Sequence, residues 1–346
     1  MAAYTFETET TNGSLMITGL NIEDGVTEVV IPSTIDGTPV TVIGREAFKG
    51  YTGLTSVVIP SSVTEIGDSA FEGCTSLTSV VIPSSVTSIG SYAFSDCENL
   101  TSVVITEGVT EIGWYAFYCC SSLTSVEIPT SVTEIGFAAF EGCTSLTSVV
   151  IPEGVTSIGA SAFCGCESLI SVEIPPRVTT IRGDTFRDCI SLTSVGIPSS
   201  VTSIGDCAFS GCDSLTSVVI PEGVTEIGAY AFSSSELTSV EIPSSVRVIG
   251  DGAFYDCSSL TSVVIPVNVT KIGDWAFEGC TGLTSVEIPE GVTEMGRSVF
   301  KGCTGLTSFK DDEVEEDDES EVEEDDELIS VVDFFNDFED GECDEA

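Results

Sequence analysis

The stretch Leu54-Thr-Ser-Val-Val-Ile-Pro-Ser-Ser-Val-Thr-Glu-Ile-Gly-Asp-Ser-Ala-Phe-Glu-Gly-Cys-Thr-Ser76 decides the fold, because variants of it fill most of the chain. Its leading leucine recurs at intervals of 23 residues, with a single deletion before Leu237. Self-similarity at such a period is typical of solenoids, in which repeats stack because none of them buries its apolar face alone. The leucines of the series are Leu54, Leu77, Leu100, Leu123, Leu146, Leu169, Leu192, Leu215, Leu237, Leu260, Leu283 and Leu306.

Each repeat, which we call a rung, begins with a short strand. Pro60 ends that strand because proline has no N–H group to continue a hydrogen-bond ladder. Val63 and Ile66 then form a second inward pair, and Gly67 permits a tight turn that a side chain would obstruct. The residues that face inward from the first strand are Leu54, Val57 and Ile59.

The last part of the rung predicts a short helical turn, because Ala70, Phe71, Cys74 and Leu77 recur at i, i+1, i+4 and i+7. We therefore expect an α/β repeat solenoid of the leucine-rich-repeat type. It would be a right-handed coil of about twelve rungs, with a parallel β-sheet of short strands and helical or 3₁₀ turns.

These residues resemble the BspA-like leucine-rich repeat family, whose rungs read Leu-x-x-Val-x-Ile-Pro-x-x-Val-x-x-Ile-Gly-x-x-Ala-Phe. The resemblance covers about residues 26–309, and Ile31–Val40 with Val42–Phe48 is similar to the longer first rung of that family. It implies a non-catalytic repeat domain that is used for protein contact, often on cell or host surfaces.

The composition divides the chain into four segments. Residues 1–30 alternate apolar and polar residues and predict an N-terminal β cap, and residues 31–310 form the solenoid. Residues 311–327 are almost all acidic, so we expect a disordered tail. Residues 328–346 are acidic and aromatic, and they can form a short amphipathic helix, dock on a partner, cover the last rung or stay disordered. The apolar residues at helical spacing are Leu328, Val331, Phe335 and Phe338.

The charge of the chain excludes several partners. The formal net charge is -46, and residues 311–346 hold 21 acidic and no basic residues. Nucleic acid and anionic membranes would be repelled, so a basic protein is the favoured partner of an expected monomer. The N-terminus has no signal-peptide pattern and the apolar runs are short, so we expect no membrane insertion and a cytoplasmic or nuclear location.

Ten cysteines follow the repeat, three residues after its phenylalanine, and we expect them to be reduced core thiols. The chain has no histidine, no Gly-rich phosphate loop and no metal-ligand spacing. We therefore expect no enzyme, no cofactor and no metal site. The ten cysteines are Cys74, Cys97, Cys120, Cys143, Cys166, Cys189, Cys212, Cys257, Cys280 and Cys303.

Departures from the repeat are the candidate partner-binding residues. One group is aromatic and occupies outward positions after the corner glycine or after the core phenylalanine, where it can anchor an interface. A second group is basic and falls within one rung, where it can bind an acidic ligand, the acidic tail or neighbouring carboxylates. Neutral drift is the alternative for both. The groups are Tyr92, Trp114, Tyr115, Tyr118 and Phe137, and Arg177, Arg182 and Arg187.

The outward position of the first strand holds Val or Glu in most rungs, for example Val58, Val104 and Glu127. This face suits a basic, partly apolar partner, but valine also simply favours strands. Two functions remain from the sequence. The first is a protein-interaction scaffold of leucine-rich repeats, and the alternative is a cell-surface or secreted adhesin of the BspA-like kind.

Overall fold

The computed structural model describes residues 4–23 and 25–311, which form a parallel β-solenoid of about twelve turns. The fold begins with an antiparallel hairpin of β1 (Tyr4–Thr11) and β2 (Ser14–Ile22). Strand β2 then pairs in parallel with β5 (Thr38–Ile43), the first long strand of the second sheet, so the hairpin adds one layer to the N-terminal end of the stack. Strands are numbered in chain order throughout.

The first sheet takes the strand that opens each rung, and equivalent residues pair in register, as Val80 does with Val103. It runs in three parts, whose strands fall within residues 28–150, 171–196 and 239–311. Its strands are β3 (Glu28–Val30), β6 (Ser56–Val58), β8 (Ser79–Ile82), β10 (Ser102–Ile105), β12 (Ser125–Glu127), β14 (Ser148–Val150), β16 (Ser171–Glu173), β18 (Ser194–Gly196), β21 (Ser239–Glu241), β23 (Ser262–Val264), β25 (Ser285–Ile288) and β27 (Ser308–Asp311).

The second sheet takes the two-residue strand before each corner glycine, and it is interrupted between β15 and β17. At its start, β4 (Thr34–Ile35) pairs antiparallel with β5 (Thr38–Ile43). Its later strands are β7 (Glu65–Ile66), β9 (Ser88–Ile89), β11 (Glu111–Ile112), β13 (Glu134–Ile135), β15 (Ser157–Ile158), β17 (Thr180–Ile181), β19 (Ser203–Ile204), β20 (Glu226–Ile227), β22 (Val248–Ile249), β24 (Lys271–Ile272) and β26 (Glu294–Met295).

A continuous stack of phenylalanine rings runs through the core. Each ring lies 4.8 to 5.6 Å from the next, with planes within 12° of parallel. At the N-terminal end, Phe6 of β1 meets the Phe48 ring edge-on at 6.4 Å. The stacked residues are Phe48, Phe71, Phe94, Phe117, Phe140, Phe163, Phe186, Phe209, Phe232, Phe254, Phe277 and Phe300.

The predicted helical turns are wrong, since the described residues contain no helix. In the segment after Gly67, the N–H groups of Ser69, Phe71 and Gly73 donate to carbonyl groups of the next rung, at 2.7 to 2.8 Å. The residues between them close i→i+3 turns, as Ala70 does with Gly67. The segment therefore has two kinds of hydrogen bond in alternation, and the i→i−4 bonds of a helix cannot form.

The expectation of inward cysteines is confirmed, because all ten thiols are buried. Each also donates a hydrogen bond to a phenylalanine carbonyl of the preceding rung, as Cys97 Sγ does to Phe71 O at 3.3 Å. The ninth rung lacks the thiol and has Ser235, whose hydroxyl turns to its own Phe232 carbonyl at 2.8 Å. The repeat cysteine is therefore a hydrogen-bond donor as well as a small apolar residue.

Candidate interaction surface

The segment between the corner glycine and the core cysteine presents four columns of mostly exposed or half-buried residues, which we call the turn face. Two columns follow the corner glycine, and two follow the core phenylalanine. The second residue of each pair has a positive φ, as at Ser69 with 54° and Gly73 with 70°. Each rung therefore contains two left-handed backbone positions, which glycine adopts without strain and other residues adopt at a cost.

The two left-handed columns are filled very differently. Glycine occupies seven of twelve positions in the column two residues after the core phenylalanine, as the backbone predicts. In the column two residues after the corner glycine, it occupies only Gly252, and four of the twelve positions are aromatic. These aromatic residues are Tyr92, Tyr115, Tyr230 and Trp275, with φ between 54° and 58°.

Four of the predicted aromatic residues make one ring cluster around Tyr115. The Tyr92 ring stacks on Tyr115 at 4.6 Å, and the rings of Tyr118 and Phe137 meet it edge-on at 5.5 and 5.2 Å. Trp114, in the adjacent column, is 61% exposed and receives the Tyr92 N–H on its carbonyl oxygen at 2.8 Å. We call these five residues the first aromatic cluster.

Carboxylates lie beside this cluster. The pKa of the Tyr118 hydroxyl is raised to about 12, first by its contact with the Cys119 side chain and then by partial burial and the charges of Glu141 and Asp96. Partial burial also raises the pKa of Glu141, and Asp184 adds to that effect. Glu141 forms no ion pair within the described part of the chain, but the charge of Arg187 opposes the rise in its pKa, so this half-buried carboxylate lies near both the rings and an arginine.

A second aromatic cluster, whose residues are not among the predicted ones, lies on the same turn face. The ring of Tyr255 meets that of Tyr230 edge-on at 6.2 Å. The Tyr230 ring lies over Gly252, where an added Cβ would overlap it. Tyr230, Gly252 and Trp275 occupy the same column in three successive rungs. The signal was present in the sequence, because Tyr230, Tyr255 and Trp275 fall in the columns already singled out at Tyr115 and Tyr118.

The three arginines do not form one network. Arg187 lies on the turn face and pairs with Asp184 and Asp188 of its own rung, each at 3.4 Å. Arg177 lies between β16 and β17, and Arg182 directly follows β17. Both are exposed, and neither makes an ion pair with any residue in the described ranges.

Arg182 occupies the position of the corner glycine, and this replacement changes the backbone hydrogen bonding. In the other rungs, the corner glycine N–H donates to an isoleucine carbonyl of the preceding rung, as Gly159 does to Ile135 at 2.9 Å. The equivalent bond from Arg182 to Ile158 is not formed between these described residues, and β15 and β17 do not pair. The second sheet therefore opens where the corner carries a side chain.

The outward slot of the first sheet is a separate apolar surface. Val30, Val58, Val81 and Val104 stand side by side in register, and each is more than half exposed. From β12 onward the slot alternates with glutamate, beginning at Glu127. The stripe is thus continuous only over the first rungs, which limits the apolar contact that this face offers.

Four of the predicted partner-binding residues belong to the C-terminal segment. Leu328, Val331, Phe335 and Phe338 lie outside the described residues. Across residues 4–23 and 25–311, no group of three or more Cys, Asp or Glu side chains is arranged to hold a metal ion. No helix in the same ranges combines the length and the apolar character that crossing a bilayer requires.

Comparison with known proteins places the repeat in one family. The family model for a BspA type leucine rich repeat region matches residues 23–147, 64–191, 133–261 and 179–307, so it covers most of the chain. No curated protein sequence matches.

Two solved structures are similar at the level of sequence as well. A leucine-rich repeat protein from Bacteroides ovatus is 33% identical, with a TM-score of 0.74, and the match covers 89% of this chain and 87% of that one. A leucine rich cell surface protein from Faecalibacterium prausnitzii is 32% identical, with a TM-score of 0.61 and coverage of 91% and 94%. The pneumococcal vaccine antigen PcpA shares the fold at 20% identity, with a TM-score of 0.56 and coverage of 89% and 80%. The chain therefore belongs to the BspA-type leucine-rich repeat family.

Proposed function

We propose that the chain is a non-catalytic protein-interaction scaffold whose first aromatic cluster holds a basic, partly apolar protein partner. One observation carries this proposal. Tyr92 and Tyr115 occupy left-handed backbone positions, where a residue other than glycine costs roughly 1 to 2 kcal/mol. The scaffold does not require aromatic rings there, because Ser69 and Ala138 fill the same column in neighbouring rungs.

The exposure of the rings supports a binding role. Trp114 is 61% exposed, and Tyr92 and Phe137 are 39% and 37% exposed, so a contiguous aromatic surface faces solvent. Exposed apolar patches of this kind mark interaction sites, and Tyr and Trp are the residues that most often anchor interfaces. The cluster therefore has the composition of an interface centre.

The chemistry of the partner follows from the groups beside the rings. Glu141 and Asp96 provide negative charge, and the tyrosine and tryptophan faces attract cations. An arginine or lysine side chain can therefore stack on a ring and face a carboxylate at the same time. A cation–π contact contributes roughly 0.5 to 2 kcal/mol, so the rings would favour a cationic side chain while the rest of the interface supplies the remaining affinity.

The test is affinity capture from the source cell with two matched glycine variants. Tyr115→Gly, combined with Trp114→Ser, removes the centre of the cluster and relieves a strained backbone position. Ser161→Gly makes the same backbone change two rungs away, where no ring is lost. We expect the first variant to lose a basic partner that the second retains, with stability within about 1 kcal/mol of the parent in both. Equal capture by both variants would refute the proposal.

The acidic segments are a second element of the proposed contact. Residues 311–346 can strengthen capture of a basic partner through their charge, as an acidic peptide that docks beside the solenoid. Capture is therefore repeated with residues 311–346 removed. A fall in capture would support a role in binding, while unchanged capture together with lower thermal stability would assign the tail to covering the last rung.

The alternative function is a surface adhesin. It is favoured by the similarity to the Faecalibacterium prausnitzii cell surface protein, at 32% identity over 91% of this chain. Fractionation of the source cell, followed by protease treatment of intact cells, separates the two functions. Cleavage of the chain on intact cells would support the adhesin, and its protection would support the scaffold.

A further inference from the structure

The second aromatic cluster uses the same columns as the first, but its two tyrosines lie in successive rungs, whereas Tyr115 and Tyr118 share one rung. In each, a tyrosine follows the core phenylalanine, and a glutamate takes the same column one rung later. These pairs are Tyr118 with Glu141 and Tyr255 with Glu278. In each, an aromatic residue at a left-handed position meets that tyrosine edge-on, at 5.5 and 6.2 Å.

The charge around the second cluster is also negative. Asp256 and Glu278 both act on the Tyr255 hydroxyl and raise its pKa. Two nearby carboxylates have structural partners instead, because Asp251 accepts the N–H of Asp274 at 3.0 Å and Asp274 accepts that of Arg297 at 2.7 Å. Glu278 already faces Lys301 of the chain itself, so Asp256 is the carboxylate of this pair that makes no ion pair among the described residues and can meet a ligand.

The turn face already binds cations of the chain itself in this way. Lys49 pairs with Glu72 at 3.0 Å in the column of Tyr118, and Lys301 lies 4.0 Å from Glu278 in the same column. Cationic side chains of a partner would meet the same column of carboxylates, with aromatic rings beside them that Lys49 does not have. Anionic ligands are repelled by these carboxylates, and a cation gains more from them than a neutral hydrogen-bond donor does.

The spacing of the two clusters is set by the stack. Phe117 and Phe254, which precede the two tyrosines, are separated by six steps of 5.3 to 5.6 Å. The clusters therefore lie about 30 Å apart along one face of the solenoid. An extended peptide covers that distance with about nine residues.

We propose that the second aromatic cluster, formed by Tyr230, Tyr255 and Trp275, binds a cationic side chain, and that the two clusters together grip one extended basic segment at two points. The two-point grip rests on the proposed function of the first cluster, whereas the second site stands on its own geometry. Two linked contacts convert the second binding event into an intramolecular one, which raises affinity without any new surface.

The two tryptophans of the chain report the two sites separately, because Trp114 lies in the first cluster and Trp275 in the second. Trp114→Phe leaves only the second reporter, and Trp275→Phe leaves only the first. The probe is a synthetic peptide with Arg-Arg at both ends of a linker of about twelve Gly-Ser residues, and a second peptide carries Arg-Arg at one end. Fluorescence titrations are run at about 150 mM salt to screen diffuse attraction.

We expect a saturable fluorescence change in both single-tryptophan variants, and affinity at least ten-fold higher for the two-ended peptide. The double variant Tyr230→Ser with Tyr255→Ser should bind the two-ended peptide with only the affinity that the parent has for the one-ended peptide. The control is Glu111→Gln with Glu134→Gln, which removes two exposed charges from the second sheet and leaves both clusters intact. It should change affinity by less than two-fold.

The other outcomes separate the two hypotheses. A response from Trp114 without one from Trp275 overturns the second site and leaves the first. A response from Trp275 alone supports the second site and refutes the proposed role of the first cluster. Equal affinity of the two peptides overturns the two-point grip, and equal loss in the sheet control shows diffuse charge attraction and overturns both sites.

Discussion

At the scale of single residues, the corner glycines allow the rungs to approach each other. A Cβ built on Gly159 would lie 2.5 Å from three backbone atoms of the preceding rung, the carbon and oxygen of Gly136 and the nitrogen of Phe137. Backbone atoms in two ladders cannot move aside as a flexible side chain can, so the glycine is a packing requirement. Gly53, by contrast, has no heavy atom within 4 Å of its virtual Cβ.

We expect Gly159→Ala to reduce the free energy of unfolding by about 2 to 3 kcal/mol, because the added methyl group overlaps backbone. Urea denaturation followed by circular dichroism measures the effect. Gly53→Ala is the matched control and should be neutral or slightly stabilising, since it removes only unfolded-chain entropy. Equal midpoints for the two variants would show that the corner tolerates a Cβ.

The buried thiols couple stability to alkaline pH. Burial raises the pKa of Cys74 from an ordinary value of 9.0 to about 12, and that of Cys257 to about 11. Below pH 9 these thiols are protonated in the folded and the unfolded chain alike, so their contribution is complete there. Between pH 9 and the folded pKa, only the unfolded chain loses the proton, and stability falls as the pH rises.

We therefore expect the urea midpoint of the reduced protein to fall steeply above pH 9, with each thiol whose pKa is raised by burial contributing about 1.4 kcal/mol per pH unit. Cys74→Ala should make this decline with pH shallower by the contribution of one thiol. The variant itself should be less stable than the parent at pH 7. Denaturation curves between pH 7 and pH 11 in the presence of reductant test this. A midpoint that stays constant to pH 11 would contradict it.

At the scale of the elements, the interrupted second sheet shows how one residue acts on a ladder. Arg182 replaces the corner glycine, and the N–H bond to Ile158 and the pairing of β15 with β17 are both missing between these described strands. The turn face of the same rung stays closed, since Ser161 still donates to the Gly183 carbonyl at 3.0 Å. The first sheet is also interrupted at this junction, between β14 and β16, so the turn face is the side on which the two rungs stay bonded.

Arg182→Gly should close this gap and restore one or two backbone hydrogen bonds, each contributing about 0.5 to 1.5 kcal/mol. The expected result is roughly ten-fold slower amide hydrogen exchange at residue 182, with a small rise in the melting temperature. Arg182→Ala is the control, because it removes the charge and keeps the Cβ. If alanine slows exchange as much as glycine does, the charge of the arginine and not its Cβ opens the sheet.

At the scale of the whole molecule, the solenoid is a one-dimensional stack in which each rung contacts its neighbours. Deletion of residues 146–168 removes one whole period and brings Phe140 next to Phe186 in the ring stack. We expect this variant to fold with the same circular dichroism signal per residue. The slope of its free energy of unfolding against urea concentration should be slightly smaller, because a shorter stack exposes less surface on unfolding. Deletion of residues 146–157 removes about half a period and should prevent folding, because inward and outward columns no longer align. Folding of both variants would refute the requirement for register.

The candidate surface was only partly predictable from the chain. Tyr115 and its neighbours could be found because each rung provides a control for the others, and Trp275 was within reach of the same comparison. Their ring contacts could not be found in this way, because they depend on how a side chain leans across rungs. Tyr230 reaches over Gly252 only because that position has no side chain.

The sequence by itself determined the solenoid, the number of its rungs and the inward or outward direction of each strand column, because a constant period forces equivalent residues into register. Only the tertiary structure decided the geometry of the turn face and the opening at Arg182. Apolar spacing of the i, i+1, i+4 and i+7 kind is the same in a helix and in a stacked turn. The choice depends on whether the N–H groups bond within the rung or to the next one, and stacking decides that.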